Sequence, residues 1–493
     1  MTPWGDAAKG AQVLQDDLKP QDGKATVGVS LDRFSDNLSR LATIDRLGED
    51  ESPTCFAAIS GIHSSLARLY KHERQMSHSN DEHILLRKKS GRPSMHERRR
   101  VGLSMDYWAK RTPPTNNERA PKRLKTDHDM ETDERPKDYA SVADDHDVCS
   151  LTIECERLPA GIYPPIRISN GWISERVEKP EDDMADFELM SGLSTAGPTL
   201  EWLDPPVSLI TSDQQNPEES ASTALTVPSI ARFVAKLEPP LALPYHIATQ
   251  LYASVQVNIA QVVFSSTASM ADLILPSIST GSSATDMKQL QLTRTINSNG
   301  TDDGGKEFQM GFYWSEPELG VRVDSIPFDH PRRLVEALPV LRQYAFIARL
   351  LEHTFPLTIM AAAKKPISST EMRKARMHRY AAKFDQKNME SELDALLSPS
   401  RVTSARALDV SIVTTPVPQM TVSMSSKLGL KKITFNILPN ADLEIVSQNI
   451  VTHSKDEERR QKRLEGLKTA LEISEDLGIW AVWVRRRYLD DGE

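Results

Sequence analysis

The stretch "IPFDHPRRLVEALPVLRQY" (Ile326–Tyr344) decides how this chain is read. Asp329 beside His330, with Arg332 and Arg333 behind them, offers the residue types of acid–base chemistry at a loop. The same residues also punctuate a helix start. Asp is a preferred N-cap, proline suits the first helical turn, and an apolar 3.6-residue period begins at once. Leu334, Leu338, Leu341, Ala345, Ala348, Leu351 and Phe355 recur at steps of three and four. Catalysis would need a nucleophile or metal partners as well, and no motif supplies them. The spacing predicts a helix capped by Asp329, with Pro339 kinking it or splitting it in two.

Outward from that helix the chain alternates between foldable and unfoldable composition. Leu31, Phe34, Leu38 and Leu41, then Phe56, Ile59, Ile62, Leu66 and Leu69, predict two helices within 30–72, with "GEDESP" as their turn. "RRVGLSMDYW" alternates Val101, Leu103, Met105 and Tyr107 with Gly102, Ser104, Asp106 and Trp108, a strand pattern. "VCSLTIECERLP" resumes the alternation, and "VSLIT" and "IARFVAKL" are further strand candidates. "ALPYHIATQLYASV" reads as a helix starting near Pro244. The end returns to strands ("SMSSKLGLKKITFNILP", "LEIVSQNIV") and one last helix in "RRQKRLEGLKTALEISEDLGIWAVWVRRR". Strands and helices show no βαβ rhythm, which predicts an α+β fold: short antiparallel strands with packed helices, interrupted by long disordered insertions. The expected pieces are a disordered tail (1–29), a helical hairpin leading into a strand (30–108) and a disordered charged linker (109–147). An α+β domain with loop insertions (148–363), a charged insertion (364–405), and strands plus a C-terminal helix (406–493) complete them.

With 493 residues the chain can bury a sizeable core, yet only 39% of it is apolar. The net charge of −9 gives no global case for nucleic-acid binding. Three cysteines, Cys55, Cys149 and Cys155, cannot form a disulfide framework and point to a reducing compartment. No signal-peptide core opens the chain, so it is expected to be soluble and intracellular.

No catalytic, cofactor-binding or metal site emerges, so the chain is read as a non-enzyme without a cofactor. Cys149 and Cys155 would share a strand face about 20 Å apart, too far for one zinc. Gly-x-Gly-x-x-Gly, Walker, H-E-x-x-H and Gly-x-Ser-x-Gly patterns are absent. "RKKSGRPSMHERRR" (Arg87–Arg100) has the Gly-Arg-Pro core of a minor-groove hook. It occurs once, however, and reads better as a Gly-Pro turn with a solvated basic rim before the strand at Val101. "LDALL" (Leu393–Leu397) matches L-x-x-L-L, a pattern common by chance in leucine-bearing helices. Lys110–Arg111 followed by Lys122, Arg123 and Lys125 has the spacing of a two-part nuclear import signal, recognised as an extended segment by an import carrier.

The ordered series "FSDNLSRLATIDRL", "CFAAISGIHSSLARLYKHE", "GRPSMHERRRVGLSMDYW", "SLTIECERLPAGIY", "PSIARFVAKLEPPLALPYHIATQLY", "FDHPRRLVEALPVLRQYAFIARLL" and "LKTALEISEDLGIWAVWV" resembles the core region of subunit 1 of the Mediator complex. The form is most similar to the fungal members. The resemblance implies a nuclear, non-catalytic scaffold, held by other Mediator middle-module subunits. It would serve regulated transcription by RNA polymerase II and its activators indirectly, without membrane contact. The family has more folded sequence ahead of "FSDNL", where only a polar tail stands here. Receptor-binding L-x-x-L-L boxes of animal members lie elsewhere, so "LDALL" inherits no such role. The alternative is a free-standing DNA- or chromatin-binding regulator using Arg87–Arg100.

Overall fold

The computed structural model describes residues 7–18, 33–43, 55–76, 82–97, 100–110, 148–157, 169, 171–178, 199–205, 209–211, 226–228, 231–275, 289–296, 306–314, 318–356, 406–426, 429–451 and 457–490. The helices are α1 (Ala7–Leu18), α2 (33–43), α3 (Cys55–Met76), α4 (Glu82–Lys88), α5 (Tyr245–Ser254), α6 (Met270–Ile274), α7 (Pro331–Thr354), α8 (Glu457–Ser474) and α9 (Leu477–Val484). The strands are β1 (Arg92–Met95), β2 (Leu103–Ala109), β3 (Val148–Arg157), β4 (Ile173–Glu178), β5 (Thr199–Trp202), β6 (Leu209–Thr211), β7 (Thr226–Pro228), β8 (Ala231–Pro244), β9 (Thr267–Ser269), β10 (Gln289–Ile296), β11 (Lys306–Trp314), β12 (Leu319–Phe328), β13 (Arg406–Val413), β14 (Gln419–Ser426), β15 (Gly429–Ile437) and β16 (Leu443–Gln448). Helices and largely antiparallel sheets make the fold α+β.

The chain divides into two compact units that the sequence does not separate in order. One comprises residues 1–267, 321–345 and 439–441, the other 268–320, 346–438 and 442–493. The expected pieces 30–108, 148–363 and 406–493 therefore do not map one to one onto them.

A six-stranded sheet has the order β1-β2-β3-β8-β12-β9, of which β1, β2, β3, β8 and β12 from Val321 onward lie in the first unit, as do the two-stranded sheets β4-β5 and β6-β7. One face of β2 and β3 carries the expected apolar set: Leu103, Met105, Tyr107, Cys149, Leu151, Ile153 and Cys155 are all buried. The alternation predicts an open second face, and that face is buried too. Ser104, Asp106, Ser150, Thr152 and Glu154 are each covered, because they find partners. Glu238 on β8 gathers Arg40 from α2 at 2.8 Å, Arg100 at 2.5 Å and the Thr152 hydroxyl at 3.1 Å. Glu154 takes Arg40 at 3.1 Å and Lys236 at 2.5 Å. A polar face is tolerated inside when each charge is paired and hydrogen-bonded.

Residues 7–18 correct the expectation of a disordered tail at 1–29. They form α1, whose Val13 is buried and whose Asp17 accepts a hydrogen bond from Asn37 of α2 at 2.8 Å. Asn37 in turn accepts the Val101 N–H at 3.0 Å, tying both helices to the sheet. Helix α3 buries the predicted stripe of Ile59, Ile62, Leu66 and Leu69.

Helix α7 is continuous across Pro339, which neither ends nor splits it. Leu334, Leu338, Leu341, Ala345 and Leu351 are buried, as is Phe355 just beyond its end. So is Arg342, on which three segments of the first unit converge. Its guanidinium donates to the Tyr107 carbonyl at 3.0 Å, to Asn440 Oδ1 at 2.7 Å and to the Lys89 carbonyl. Burial pushes its pKa down to about 9, an effect opposed chiefly by the Glu73 carboxylate, so it stays cationic at neutral pH. Burial likewise raises Glu73, against the pull of two bonds from Ser90.

The second unit holds a sheet in the order β10-β11-β13-β14-β15-β16. β11 and β13 pair in parallel and the other neighbours antiparallel. Period-2 alternation buries Leu408, Val410, Ile412, Met420, Val422, Met424, Ile433, Phe435 and Ile437 on one face. The opposite face pairs Thr421 with Thr434 at 3.1 Å and Gln419 with Asn436 at 3.1 Å. The single last helix of the sequence reading is two helices here. Glu475 has φ +45 and Asp476 begins α9 by accepting the N–H groups of Gly478 and Ile479 at 2.8 and 3.1 Å.

Candidate interaction surfaces

His330, not Asp329, makes the capping bond at the start of α7. Its Nδ1 accepts the Arg332 N–H at 3.0 Å. Its Nε2 lies 2.9 Å from the Leu203 carbonyl, which can only accept, so Nε2 carries the proton and Nδ1 the lone pair. Trp172 and Trp202 stand edge-on to the ring at 5.0 and 5.6 Å. Asp329 is buried with Oδ1 3.3 Å from Arg333 Nε. Both ring nitrogens are engaged by backbone groups, which serves a helix start.

The Gly-Arg-Pro stretch enters the sheet itself. Residues Arg92–Met95 are an edge strand rather than a turn, paired with β2 in the register Arg92↔Asp106 to Met95↔Leu103. Pro93 is tolerated because the strand is at the edge. Gly91 has φ +83, and a Cβ there would lie 2.6 Å from the Asp106 carbonyl oxygen, so only glycine fits the approach. The described arginines of the stretch, Arg87, Arg92 and Arg100, have partners within the fold. Arg87 lies 3.9 Å over the Trp108 ring, Arg92 meets the buried Asp106 carboxylate at 3.0 Å, and Arg100 binds Glu238 and, at 2.7 Å, the Ser150 hydroxyl. Internal partners engage the groups a minor-groove hook would present, and the DNA-binding alternative is not favoured.

Of the import-signal residues only Lys110 lies among the described residues; Arg111, Lys122, Arg123 and Lys125 lie outside them. So do "LDALL" and all of 364–405. The cysteines Cys55, Cys149 and Cys155 are buried thiols. Among the described residues no three His, Cys, Asp or Glu side chains are grouped to hold a metal ion, and no helix is long and apolar enough to cross a membrane.

The two apolar helical segments of the sequence divide differently. Helix α7 sinks nearly all its apolar side chains into the interior. Helix α9 has two faces. Leu477, Trp480, Ala481 and Val484 are buried, Trp480 donating to the Leu467 carbonyl at 3.0 Å and meeting Phe435 at 5.9 Å. Ile479, Val482, Trp483 and Arg486, spaced i, i+3, i+4, i+7, point the other way, with Ile479 48% exposed. Arg459, Lys462 and Arg463 on α8, and Arg486 and Arg487 after α9, are exposed. Sequence reasoning missed the stripe by reading one helix where there are two. The signal was Asp476 standing before the apolar run "LGIWAVWV".

No curated protein matches the chain. A family model described as "Mediator of RNA polymerase II transcription subunit 1" matches residues 6–356, starting at α1 and ending just past α7. That span takes in the sheet of the first unit, Arg342 with its Tyr107 and Lys89 partners, and the His330-capped helix, so the chain belongs to the Mediator subunit 1 family and is a component of the transcription machinery.

Proposed function

We propose that the chain is a non-catalytic scaffold subunit of Mediator, held by other middle-module subunits, that supports activator-dependent transcription through protein–protein contacts. The observation that carries this reading is the family match over residues 6–356. The fate of His330 is consistent with it, since the one acid–base constellation suggested by the sequence is engaged in capping and anchoring a helix. RNA polymerase II and its activators are reached indirectly, and no bond is made or broken by the chain. The test is affinity purification of the tagged chain from nuclear extract, followed by mass spectrometry. Other Mediator subunits should be recovered in near-equal amounts, whereas recovery of the chain alone would overturn the reading.

Entry to the nucleus is proposed to use Lys110, Arg111, Lys122, Arg123 and Lys125, two basic clusters separated by a proline-bearing segment. Replacing Lys122, Arg123 and Lys125 with alanine should leave the chain cytoplasmic when expressed alone. Unchanged nuclear accumulation would defeat the proposal.

A further inference from the structure

The last helices of the second unit carry a surface that the fold does not require. Asp476 fixes where α9 begins, and Trp480 fixes how it turns, through its bond to the Leu467 carbonyl and its contact with Phe435. Those two anchors leave Ile479, Val482 and Trp483 outward along one stripe. Beyond Val484 the chain widens into a π-helical turn, Arg485–Asp490. Arg485 turns inward and donates to the Ser425 carbonyl at 2.6 Å, which sends Arg486 and Arg487 to the surface. Tyr488 closes the arrangement, its ring edge-on to Trp483 at 5.8 Å and its hydroxyl donating to the Arg463 carbonyl at 3.4 Å. That contact holds α8 at Arg463 against Tyr488, the residue that follows Arg487. The result is an aromatic and aliphatic stripe in a segment that also exposes Lys462, Arg463 and Arg487, in a chain whose net charge is −9.

We propose that this surface docks an acidic peptide segment of a partner protein that carries bulky apolar side chains at helical spacing. The stripe from Ile479 to Arg486 covers about two helical turns, roughly 10 Å, enough for two or three apolar side chains of an incoming helix. The exposed cations match carboxylates on the flanks of such a segment and steer its approach. A nucleic acid fits less well. Its backbone needs a continuous positive track, and α8 interrupts any such track with the exposed Glu457, Glu458 and Glu465. Glu457 and Glu465 also hold Arg460 and Lys468 at 3.2 and 2.6 Å, engaging two further cations. The proposal does not depend on the scaffold reading, since a free-standing protein would bear the same surface.

The test measures fluorescence anisotropy of a labelled peptide with Leu and Phe at i, i+3, i+4 and i+7 and Asp or Glu between, titrated with the full chain. Comparison probes are the same peptide with alanine for Leu and Phe, and a duplex DNA. The acidic apolar peptide should bind. Affinity should fall about tenfold with the double reversal Arg463→Glu, Arg487→Glu, and fall as well with Trp483→Ala and with the alanine-substituted peptide. Each variant's melting curve is recorded alongside. The comparison of peptides on the unaltered chain stands whether or not a variant folds. Absence of binding, equal binding of the alanine-substituted peptide, indifference of folded variants to charge reversal, or tighter binding of the duplex would each overturn the proposal.

Discussion

Residues 87–100 and residues 457–487 are both dense in arginine and lysine, and both lie against a sheet. In the first stretch Arg87 covers Trp108, Arg92 meets Asp106, and Arg100 joins Glu238 and Ser150. In the second, Arg485 is buried and donates to the Ser425 carbonyl, while Arg459, Lys462, Arg463, Arg486 and Arg487 are exposed. The difference lies in what the neighbouring strands offer. β2, β3 and β8 present carboxylates and an indole at positions the chain must cover, so nearby cations are pulled onto them. β13 and β14 present the Ala407 and Ser425 carbonyls to Arg485. The first basic run becomes framework through the acids it meets on the sheet, Asp106 and Glu238.

The largest effect that sharpens this contrast belongs to Arg342, the most deeply buried cation among the described residues. Arg342→Met would leave the Tyr107 and Lys89 carbonyls and Asn440 Oδ1 without their donor, and would take from Glu73 one of its opposing charges, Lys89 being the other. Removing one side of such a buried arrangement costs about 3–5 kcal/mol. Urea denaturation should show that loss, with Arg342→Lys recovering part of it. Glu73 supplies a pH signature at the same junction. Its folded-state pKa is raised by burial, so its contribution to stability is fully present below the ordinary carboxylate value and is lost as pH rises through the folded value. Glu73→Gln removes that titration. Its stability relative to the parent should therefore improve between acid and neutral pH, and a constant difference would show that the group does not titrate there.

Next in size is Gly91, which delivers Arg92 to Asp106. Alanine there meets both φ +83 and the Asp106 carbonyl at 2.6 Å. Strain of that kind costs about 1–3 kcal/mol, and more where backbone must shift. A lowered melting temperature is expected. If the stretch were only a solvated turn the substitution would be mild.

These two sites also mark how far the sequence could be read. The start of α7 was legible because capping types and an apolar period are local signals. Which residue caps was not, since His330 is oriented by Leu203, Trp172 and Trp202, all distant in the chain. The strand at Arg92 was hidden by its length and by Pro93, which suits an edge only when a neighbouring strand exists. Helix α1 was missed because "AAKGAQVLQDDL" has few apolar residues and is held partly by the Asp17–Asn37 bond. The outward stripe of α9 was within reach, since its spacing is regular once the break at Glu475 is placed.

That break yields a moderate prediction. Asp476→Ala removes the acceptor for two N–H groups at the start of α9, a loss of about 1 kcal/mol. Thermal unfolding measures it, and Asp476→Asn should retain most of the stability. The same substitution would loosen the placement of Ile479 and Trp483, linking the cap to the docking surface.

The smallest expected effect is the most discriminating for the comparison. Arg463→Glu with Arg487→Glu reverses two exposed charges, and the Arg463 carbonyl that accepts the Tyr488 hydroxyl is backbone, which any residue supplies. Surface substitutions of this kind stay within about 0.5 kcal/mol. The melting temperature should barely move, whereas Arg92→Glu, facing buried Asp106 with a like charge, should lower it clearly. Equal losses at the two places would mean that the terminal cations are also framework, and the contrast between the two basic runs would fail.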